Sequence, residues 1–411
     1  MTKIIPFRAL RPVRDKVHLV ATRPYYSYKK NVLKAKLEDN PFTFLRIINP
    51  EFGSSVKTKP NSLERFNLVK QKYQEFIEEG ILFRDQSPHV YIYRQTKDGH
   101  EFTGIIAGAS VDEYNNDKIK KHEATLTSRE QMFTTYLDVV GYNAEPVLLC
   151  HPHNKEIESL IQLCIVERPE YEFTTTDKIK HELWLVNHKI EKSLIDEFLQ
   201  LDATYIADGH HRSASSAKLK DLRNKKGIKS FPNEDFFLAF FIDEKRLKIL
   251  EYNRLVKSLK NTSQKDFLHK LNENFVVSKL SGGANPVKEH QITMCLKSDW
   301  YSLECKPQII ENNHPVNSLD AEILTKFILD PLLQINDLKT DENIEFISGA
   351  VPIQEIENNI KKEKYDIAFL LYPCTMDQVK KVADNHLIMP PKSTWVEPKM
   401  RSGLTIYPIN E

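Results

Sequence analysis

Residues 203–217 read ATYIADGHHRSASSA and place Asp, two His and Arg between an apolar strand and a helix of small residues. TYIA predicts a short strand, Gly209 permits a tight turn, and SASSAKL from Ser213 to Leu219 predicts the start of a helix. A strand–turn–helix junction offers free backbone N–H groups and the positive end of the helix dipole to an anion. Residues 208–212, here named the DGHHR turn, therefore predict an anion site.

The side chains of the DGHHR turn suit phosphate chemistry. Arg212 is able to clamp a phosphate or carboxylate, His210 and His211 to donate hydrogen bonds or shuttle protons, and Asp208 to hold a divalent metal. In the alternative interpretation Asp208 caps the helix, Arg212 pairs with it, and both histidines are solvated. The density of such groups at one strand exit favours the anion site, and two adjacent histidines are poorly placed to share a zinc ion.

Length and composition bound the class of protein. The chain has 411 residues, 40% hydrophobic and 28% charged, which is ordinary for a soluble protein of two or three domains. The chain has 58 Lys and Arg residues and 57 Asp and Glu residues, which gives a net charge of +1. So small a net charge would not hold the protein on nucleic acid or an anionic membrane. No apolar run is long enough to span a membrane, no signal peptide opens the chain, and a cytoplasmic protein is expected. Five scattered cysteines read as reduced structural thiols: Cys150, Cys164, Cys295, Cys305 and Cys374.

The order of elements predicts a mixed α/β (α+β) fold. A helix is expected over residues 61–80, a hairpin around the Asp98-Gly99 turn, and a strand buried on both faces at FFLAFFI, residues 236–242. The polar segment 261–274 marks the predicted boundary. It separates an N-terminal catalytic domain, 1–260, from a C-terminal α/β domain, 261–411, whose last segment is expected to complete the site.

Seven segments in order carry a resemblance to a large family known as domain-of-unknown-function family 1015. They are IPFRALRP, ATRPYYS, NPFTFLRIINPE, KKHEATL, YIADGHHR, ILEYNRLV and MPPKSTWVEPKMRSGL, and they run from residue 5 to residue 404. The DGHHR turn with its small-residue helix also resembles the signature of the ParB/sulfiredoxin-like superfamily. That resemblance implies a ParB/sulfiredoxin-like catalytic region and phosphate chemistry. Some members phosphorylate free L-serine, whereas sulfiredoxins need a Cys in the turn where this chain has His.

A second polar cluster, KKHEAT at residues 120–125, follows a predicted strand. A carboxylate flanked by Lys and His stays ionised and is able to accept the proton of an attacking hydroxyl. The alternative is a charged surface run before the next helix. The match to the family's HE-x-T segment favours a functional role over a charged surface run. The resemblance then implies Glu123 as the base and His122 and Thr125 as substrate-binding residues.

A third cluster lies in the C-terminal segment MPPKSTWVEPKMRSG. Its cations and hydroxyls suit a phosphate, although the glycines of a P-loop are missing, and a basic surface around a buried Trp395 is the alternative. Arg23, before Pro24-Tyr25, and Arg254 in YNRL are weaker candidates, for which a solvated arginine or a surface ion pair is the alternative. The predicted phosphate- or substrate-binding residues are therefore Gly209, Arg212, Ser213, His122, Thr125, Lys392, Ser393, Thr394, Lys399, Arg401, Arg23 and Arg254, and the predicted catalytic residues are Glu123, Asp208, His210 and His211.

These observations predict a small-molecule phosphotransferase, most concretely a free L-serine kinase using ATP, ADP or pyrophosphate. Such chemistry needs positioning and charge neutralisation more than covalent help, and Mg²⁺ at Asp208 is the expected cofactor. The expected partners are small molecules, not a membrane or nucleic acid, and a homodimer is left open. The alternative is a nucleotide- or phosphometabolite-binding regulator related to ParB, without kinase activity.

Overall fold

A computed structural model describes residues 2–55, 57–227, 231–260 and 262–411 of the chain. The chain forms two compact units. Unit 1 comprises residues 1–121, 125–247 and 398–411, and unit 2 comprises residues 122–124 and 248–397. The sequence predicted a boundary at residue 261, which lies outside the described residues. The units instead separate after Leu247, and the last 14 residues return to unit 1.

Unit 1 is a mixed α/β structure. Its strands are β1 (Ile4–Ile5), β2 (Leu10–Pro12), β3 (Leu82–Arg84), β4 (Tyr91–Lys97), β5 (His100–Ser110), β6 (Ile119–Lys120), β7 (Tyr142–Asn143), β8 (Val147–His151), β9 (Tyr171–Thr174), β10 (Lys180–Leu185), β11 (Thr204–Asp208), β12 (Phe236–Asp243) and, near the C-terminus, a strand at Tyr407–Pro408. Its helices are α1 (Val17–Val20), α2 (Lys30–Asp39), α3 (Leu45–Ile48), α4 (Leu63–Glu78), α5 (Val111–Asn115), α6 (Thr127–Val140), α7 (Lys155–Ile165), α8 (His188–Phe198) and α9 (His210–Lys225), with 3₁₀ turns at Tyr25–Ser27 and Pro232–Asp235.

A nine-stranded mixed sheet forms the centre of unit 1, in the order β6-β11-β8-β12-β5-β4-β10-β9, with β1 also paired to β5. The predicted doubly buried strand is β12, which runs antiparallel to β5 and parallel to β8. The predicted hairpin joins β4 to β5, and Asp98 and Gly99 at its turn have φ of 50° and 76°. Positive φ at both turn residues matches the right-handed twist of the flanking strands. These two predictions are confirmed.

Helices cover the apolar surfaces of unit 1. The α7 and α8 helices bury Ile157, Ile161, Leu194 and Phe198 in a cluster with strand residues of the large sheet. The predicted 61–80 helix is α4, which begins after Ser62, whose side chain accepts a hydrogen bond from the Arg65 N–H. A second cluster joins α3, α4 and α6 to β2, β3 and Ile406. Residues near the C-terminus thus belong to the core of unit 1.

Unit 2 contains a six-stranded antiparallel sheet. The strands of unit 2, six of them in this sheet, are β13 (Lys248–Leu250), β14 (Tyr252–Val256), β15 (Phe275–Leu280), β16 (Gln291–Leu296), β17 (Asp299–Cys305), β18 (Ile344–Ser348), β19 (Ile367–Leu370) and β20 (Trp395–Glu397). The C-terminal strand of unit 1 is β21 (Tyr407–Pro408). The helices of unit 2 are α10 (Gln264–Asn274), α11 (Asp320–Leu324), α12 (Asp330–Leu333), α13 (Ile353–Lys361) and α14 (Met376–Asp384), with a 3₁₀ turn at Pro307–Ile309 and a π-helical segment at Thr325–Leu329.

The sheet of unit 2 has the order β15-β17-β16-β19-β14-β18, while β13 and β20 form a separate antiparallel pair. One hydrophobic cluster packs α10 to α12 against the sheet, and another packs α13 against it. The two units together confirm the predicted mixed α/β class. Among the described residues, no helix combines the length and apolar character that crossing a membrane requires.

Candidate functional site

The DGHHR turn joins β11 to α9 in unit 1. The sequence predicted that the helix begins at Ser213, but α9 begins at His210. Gly209 makes the earlier start possible because it adopts φ 103° and ψ 26°, a conformation that residues with a Cβ rarely adopt. His210, His211 and Arg212 therefore form the first turn of a 16-residue helix.

Gly209 is also needed for space. A Cβ at this position would lie 2.8 Å from Nη2 and 2.9 Å from Nε of Arg212. The guanidinium group thus folds back over the backbone of the turn, at the helix N-terminus. A side chain at this position would force the guanidinium to shift, whereas glycine lets Arg212 place its charge at the end of the helix that attracts anions.

Charges of both signs surround Arg212. Its Nη1 forms an ion pair with Glu145, and its Nη2 lies 3.7 Å from the Asp208 carboxylate. Lys399 Nζ lies at the same distance, 3.7 Å, from the same Asp208 oxygen. The Ser402 hydroxyl donates to Glu145 at 3.0 Å. Arg212 and Lys399 thus both lie beside one partly exposed carboxylate, and Lys399 belongs to the C-terminal segment.

Arg401 anchors this C-terminal segment. It is buried, and its Nη2 lies 3.1 Å from Asp177 and 3.2 Å from the Thr175 hydroxyl. Arg23 approaches the same Asp177 carboxylate at 3.9 Å. Burial raises the pKa of Asp177, but the Thr175 hydroxyl and the Arg401 charge outweigh burial and lower it. Asp177 therefore stays ionised and holds both predicted arginines in unit 1.

The other polar residues of α9 mostly serve the helix. His210 is buried and His211 is half-buried. Ser213 is fully buried, and its hydroxyl donates to the His210 carbonyl at 3.0 Å. Ser215 packs beside α6, where its hydroxyl reaches the Glu130 carbonyl at 3.4 Å. Small residues let α9 lie close to α6, which fixes the direction of the turn.

The predicted base belongs to unit 2. Glu123 is exposed in the loop after β6, and its neighbour His122 is buried, which lowers the pKa of His122 to about 4. The His122 carbonyl accepts a hydrogen bond from the Met389 N–H at 2.8 Å. Thr125, in unit 1, donates its hydroxyl to Glu130. The catalytic role of Glu123 stays a prediction.

The remaining predicted phosphate ligands also lie in unit 2. Lys392 is exposed and Thr394 half-buried, while Ser393 is buried and donates to the Pro390 carbonyl at 2.7 Å. Arg254 is completely buried on β14. Their binding roles stay predictions.

Sequence reasoning missed Glu145 and Asp177. Glu145 stands two residues before β8, and Asp177 lies in the loop between β9 and β10. Each is an acidic residue at the end of a strand, which is a weak signal because such residues are common there. Neither carried a motif, and their pairing with Arg212 and Arg401 arises only from the fold.

The acidic residues near the DGHHR turn can be compared with what a Mg²⁺ site requires. Among the described residues, no three His, Cys, Asp or Glu side chains are grouped as a protein-only metal site requires. Mg²⁺ in phosphoryl-transfer sites commonly needs just one or two carboxylates, because water and substrate phosphates supply the other ligands. Asp208 fits that mode in its exposure, since a third of its side chain is exposed, but Arg212 and Lys399 pair with it at 3.7 Å and a metal ion would compete with both.

Comparison with a protein-family model agrees with the family resemblance. The family model described as "Protein of unknown function (DUF1015)" matches residues 4–322. A free serine kinase in complex with AMP is 14% identical at a TM-score of 0.37, covering 73% of this chain and 91% of its own. A conserved hypothetical protein from Pyrococcus furiosus is 14% identical at a TM-score of 0.35, and the match covers 73% of this chain and 95% of that protein. C-terminally truncated SbnI from Staphylococcus aureus is 12% identical at a TM-score of 0.37, and the match covers 71% of this chain and 82% of that protein. None of the curated proteins matches the sequence.

Proposed function

The chain belongs to the DUF1015 family, and we propose that it is a small-molecule phosphotransferase that phosphorylates the hydroxyl of free L-serine. The observation that carries the proposal is the strand–glycine–helix junction at which Arg212 and Lys399 flank Asp208. Such a junction suits the phosphates of a donor, and the sequence resemblance to free L-serine kinases supplies the acceptor.

In this proposal the DGHHR turn holds the donor. The backbone N–H groups of the first turn of α9 bind phosphate oxygens, and Arg212 exchanges Glu145 for the phosphate. Lys399 neutralises charge on the transferred group, while Arg401 keeps the C-terminal segment in place through Asp177. Mg²⁺, held by Asp208 and the donor phosphates, would neutralise further negative charge.

The chemical step is a direct transfer. The serine hydroxyl oxygen forms a bond to the terminal phosphorus as the bond from phosphorus to the leaving oxygen breaks. A general base accepts the hydroxyl proton, a role for which the sequence predicts Glu123, and the leaving group departs as the donor shortened by one phosphate. His210 and His211 are the further candidates for proton transfer beside the phosphate.

The experiment is an assay of the purified full-length protein with L-serine, Mg²⁺ and ATP, ADP or pyrophosphate in turn. We expect phosphoserine with at least one donor. Arg212→Met should raise the KM for that donor about tenfold or more, since a charge-assisted hydrogen bond contributes about 1.5–3 kcal/mol. Glu123→Gln should lower kcat by about 10²–10⁴-fold, the usual contribution of a general base.

The alternative is a regulator that binds a phosphorylated metabolite without transferring phosphate. Such a protein loses affinity with Arg212→Met but is indifferent to Glu123→Gln. Absence of product with every donor, across several hydroxy amino acids, contradicts the kinase and leaves the regulator.

A further inference from the structure

A fully buried arginine lies in the sheet of unit 2. Arg254 sits on β14 opposite Phe346 of β18 and Phe369 of β19, and its side chain is 0% exposed. Arginine is rarely buried without a partner that compensates the charge. The contacts of its guanidinium group therefore indicate what kind of group could compensate its charge.

Those contacts contain no acid. Nη1 donates to the Tyr252 carbonyl, and Nη2 donates to the Lys392 carbonyl at 3.2 Å. The Phe346 ring lies 5.3 Å from the guanidinium carbon. Nε is buried and makes no hydrogen bond within the part of the chain that the structure describes, and no Asp or Glu there is among the groups that act on Arg254.

A buried cation without a counter-ion is unfavourable, because neutral carbonyls compensate only part of the lost hydration. Burial accordingly lowers the pKa of Arg254 to about 10. A bound anion would supply the missing charge and accept the Nε–H hydrogen bond. Arginine meets phosphate oxygens with two parallel N–H groups, which makes phosphate the fitting class of anion.

A second cation, Lys392 of the loop at 390–394, lies over the ring of Tyr252, the residue whose carbonyl Arg254 contacts. Lys392 has φ 59°, an unusual conformation for a residue with a Cβ, and Arg254 holds its carbonyl. Its Nζ lies 5.4 Å from the centre of the Tyr252 ring, and Trp395 packs against that ring at 5.3 Å. Two cations and an aromatic wall thus converge around Tyr252.

We propose that Arg254 and Lys392 form a phosphate-binding site in unit 2 that takes inorganic phosphate, pyrophosphate or the phosphate group of a nucleotide. Arg254 provides the inner, desolvated contact, and the exposed Lys392 provides the outer one. The proposal does not depend on phosphoryl transfer at the DGHHR turn.

The test uses the full-length protein carrying Arg212→Met, which weakens the site in unit 1. Phosphate, pyrophosphate and AMP are titrated separately, and the thermal midpoint and tryptophan emission are recorded. We expect saturable stabilisation by at least one of the three, with an emission change that Trp395→Phe abolishes. The tightest of the three ligands identifies the source of the phosphate.

Adding Arg254→Met should weaken that binding at least about tenfold, as expected for loss of a charge-assisted contact. Lys392→Met should weaken the binding less. Because Lys392 is exposed, this variant is expected to fold. If Arg254→Met does not fold, Lys392→Met alone tests the site. Unchanged affinity in the variants that fold overturns the site, as does a parent protein that responds to none of the three ligands. In either case Arg254 only ties β14 to the 390–394 loop. A protein that binds through Arg254 yet makes no phosphoserine keeps this inference while the kinase fails.

Discussion

At the scale of single residues, Gly209 limits what the candidate site tolerates. We expect Gly209→Ala to destabilise the protein by about 1–3 kcal/mol, because φ 103° is strained for alanine. The added Cβ also falls 2.8 Å from Arg212 and must displace its guanidinium. Affinity for the phosphoryl donor should therefore fall about tenfold or more, measured as KM or by calorimetric titration.

Gly80→Ala is the matched control. Gly80 has φ 68°, and a Cβ there meets nothing within 4 Å. It should lose stability in the same way but keep the donor affinity. Equal loss of affinity in the two variants would show that strain, and not the position of Arg212, causes the effect.

The DGHHR turn also shows how far single residues could be predicted. Asp, Gly, two His and Arg after an apolar strand were enough to predict a turn before a helix. The sequence does not reveal that Glu145 pairs with Arg212, because 67 positions separate them and no motif links them. Pairings of this kind depend on the register of β8 beside β11, which local sequence does not encode.

At the scale of elements, the pair of strands β4 and β10 holds a histidine that makes the sheet sensitive to acid. His181 of β10 is fully buried, its Nδ1 lies 2.7 Å from the Tyr93 hydroxyl, and Phe173 stacks on it at 4.9 Å. Burial, aided by the Arg401 charge, lowers the pKa of His181 to about 3. The imidazole is therefore neutral in the folded state.

The unfolded chain binds a proton at this histidine below about pH 6.5, whereas the folded state does not until about pH 3. Neutral His181 therefore makes its full contribution to the free energy of unfolding above pH 6.5, and this contribution is lost as the pH falls below 6.5. Between about pH 7 and pH 4.5 the loss is about 2–3 kcal/mol. Urea unfolding at several pH values should show a shallower acid dependence in His181→Gln, and no change in the exposed control His18→Gln. Equal slopes in all three proteins would mean that His181 is not buried as described.

Elements were predicted best where the pattern was local. The α4 helix and the β4–β5 hairpin follow from capping, periodicity and an Asp-Gly turn. The start of α9 was placed three residues late, because the prediction assigned Gly209 to a turn that runs up to Ser213. In the structure it is the residue that begins the helix. A glycine with positive φ fits either interpretation.

At the scale of the whole molecule, unit 2 is largely an insertion into unit 1. Lys248 of β13 pairs with Glu397 of β20, so the two ends of segment 248–397 lie on neighbouring antiparallel strands. Paired Cα atoms in such strands are only about 5 Å apart. A sequence-based boundary at a single position cannot describe this arrangement, because the chain leaves unit 1 and comes back.

We therefore expect that joining Leu247 to Pro398 through a two-residue Asn-Gly turn yields a folded unit 1. The clusters that bury the large sheet and α4 draw only on residues of unit 1, and residues 122–124 would become a loop between β6 and α6. The shortened protein should unfold cooperatively and keep pyrophosphate binding that depends on Arg212. A chain ending at Leu247 should not fold, because it lacks the buried Ile406, Tyr407 and Ile409. Each such side chain contributes about 1.5–3 kcal/mol by burial, so losing all three costs about 4.5–9 kcal/mol, which is comparable to the whole net stability of a typical domain, about 5–15 kcal/mol. Circular dichroism and urea titration decide the matter, and a shortened protein without a cooperative transition would show that unit 1 requires segment 248–397.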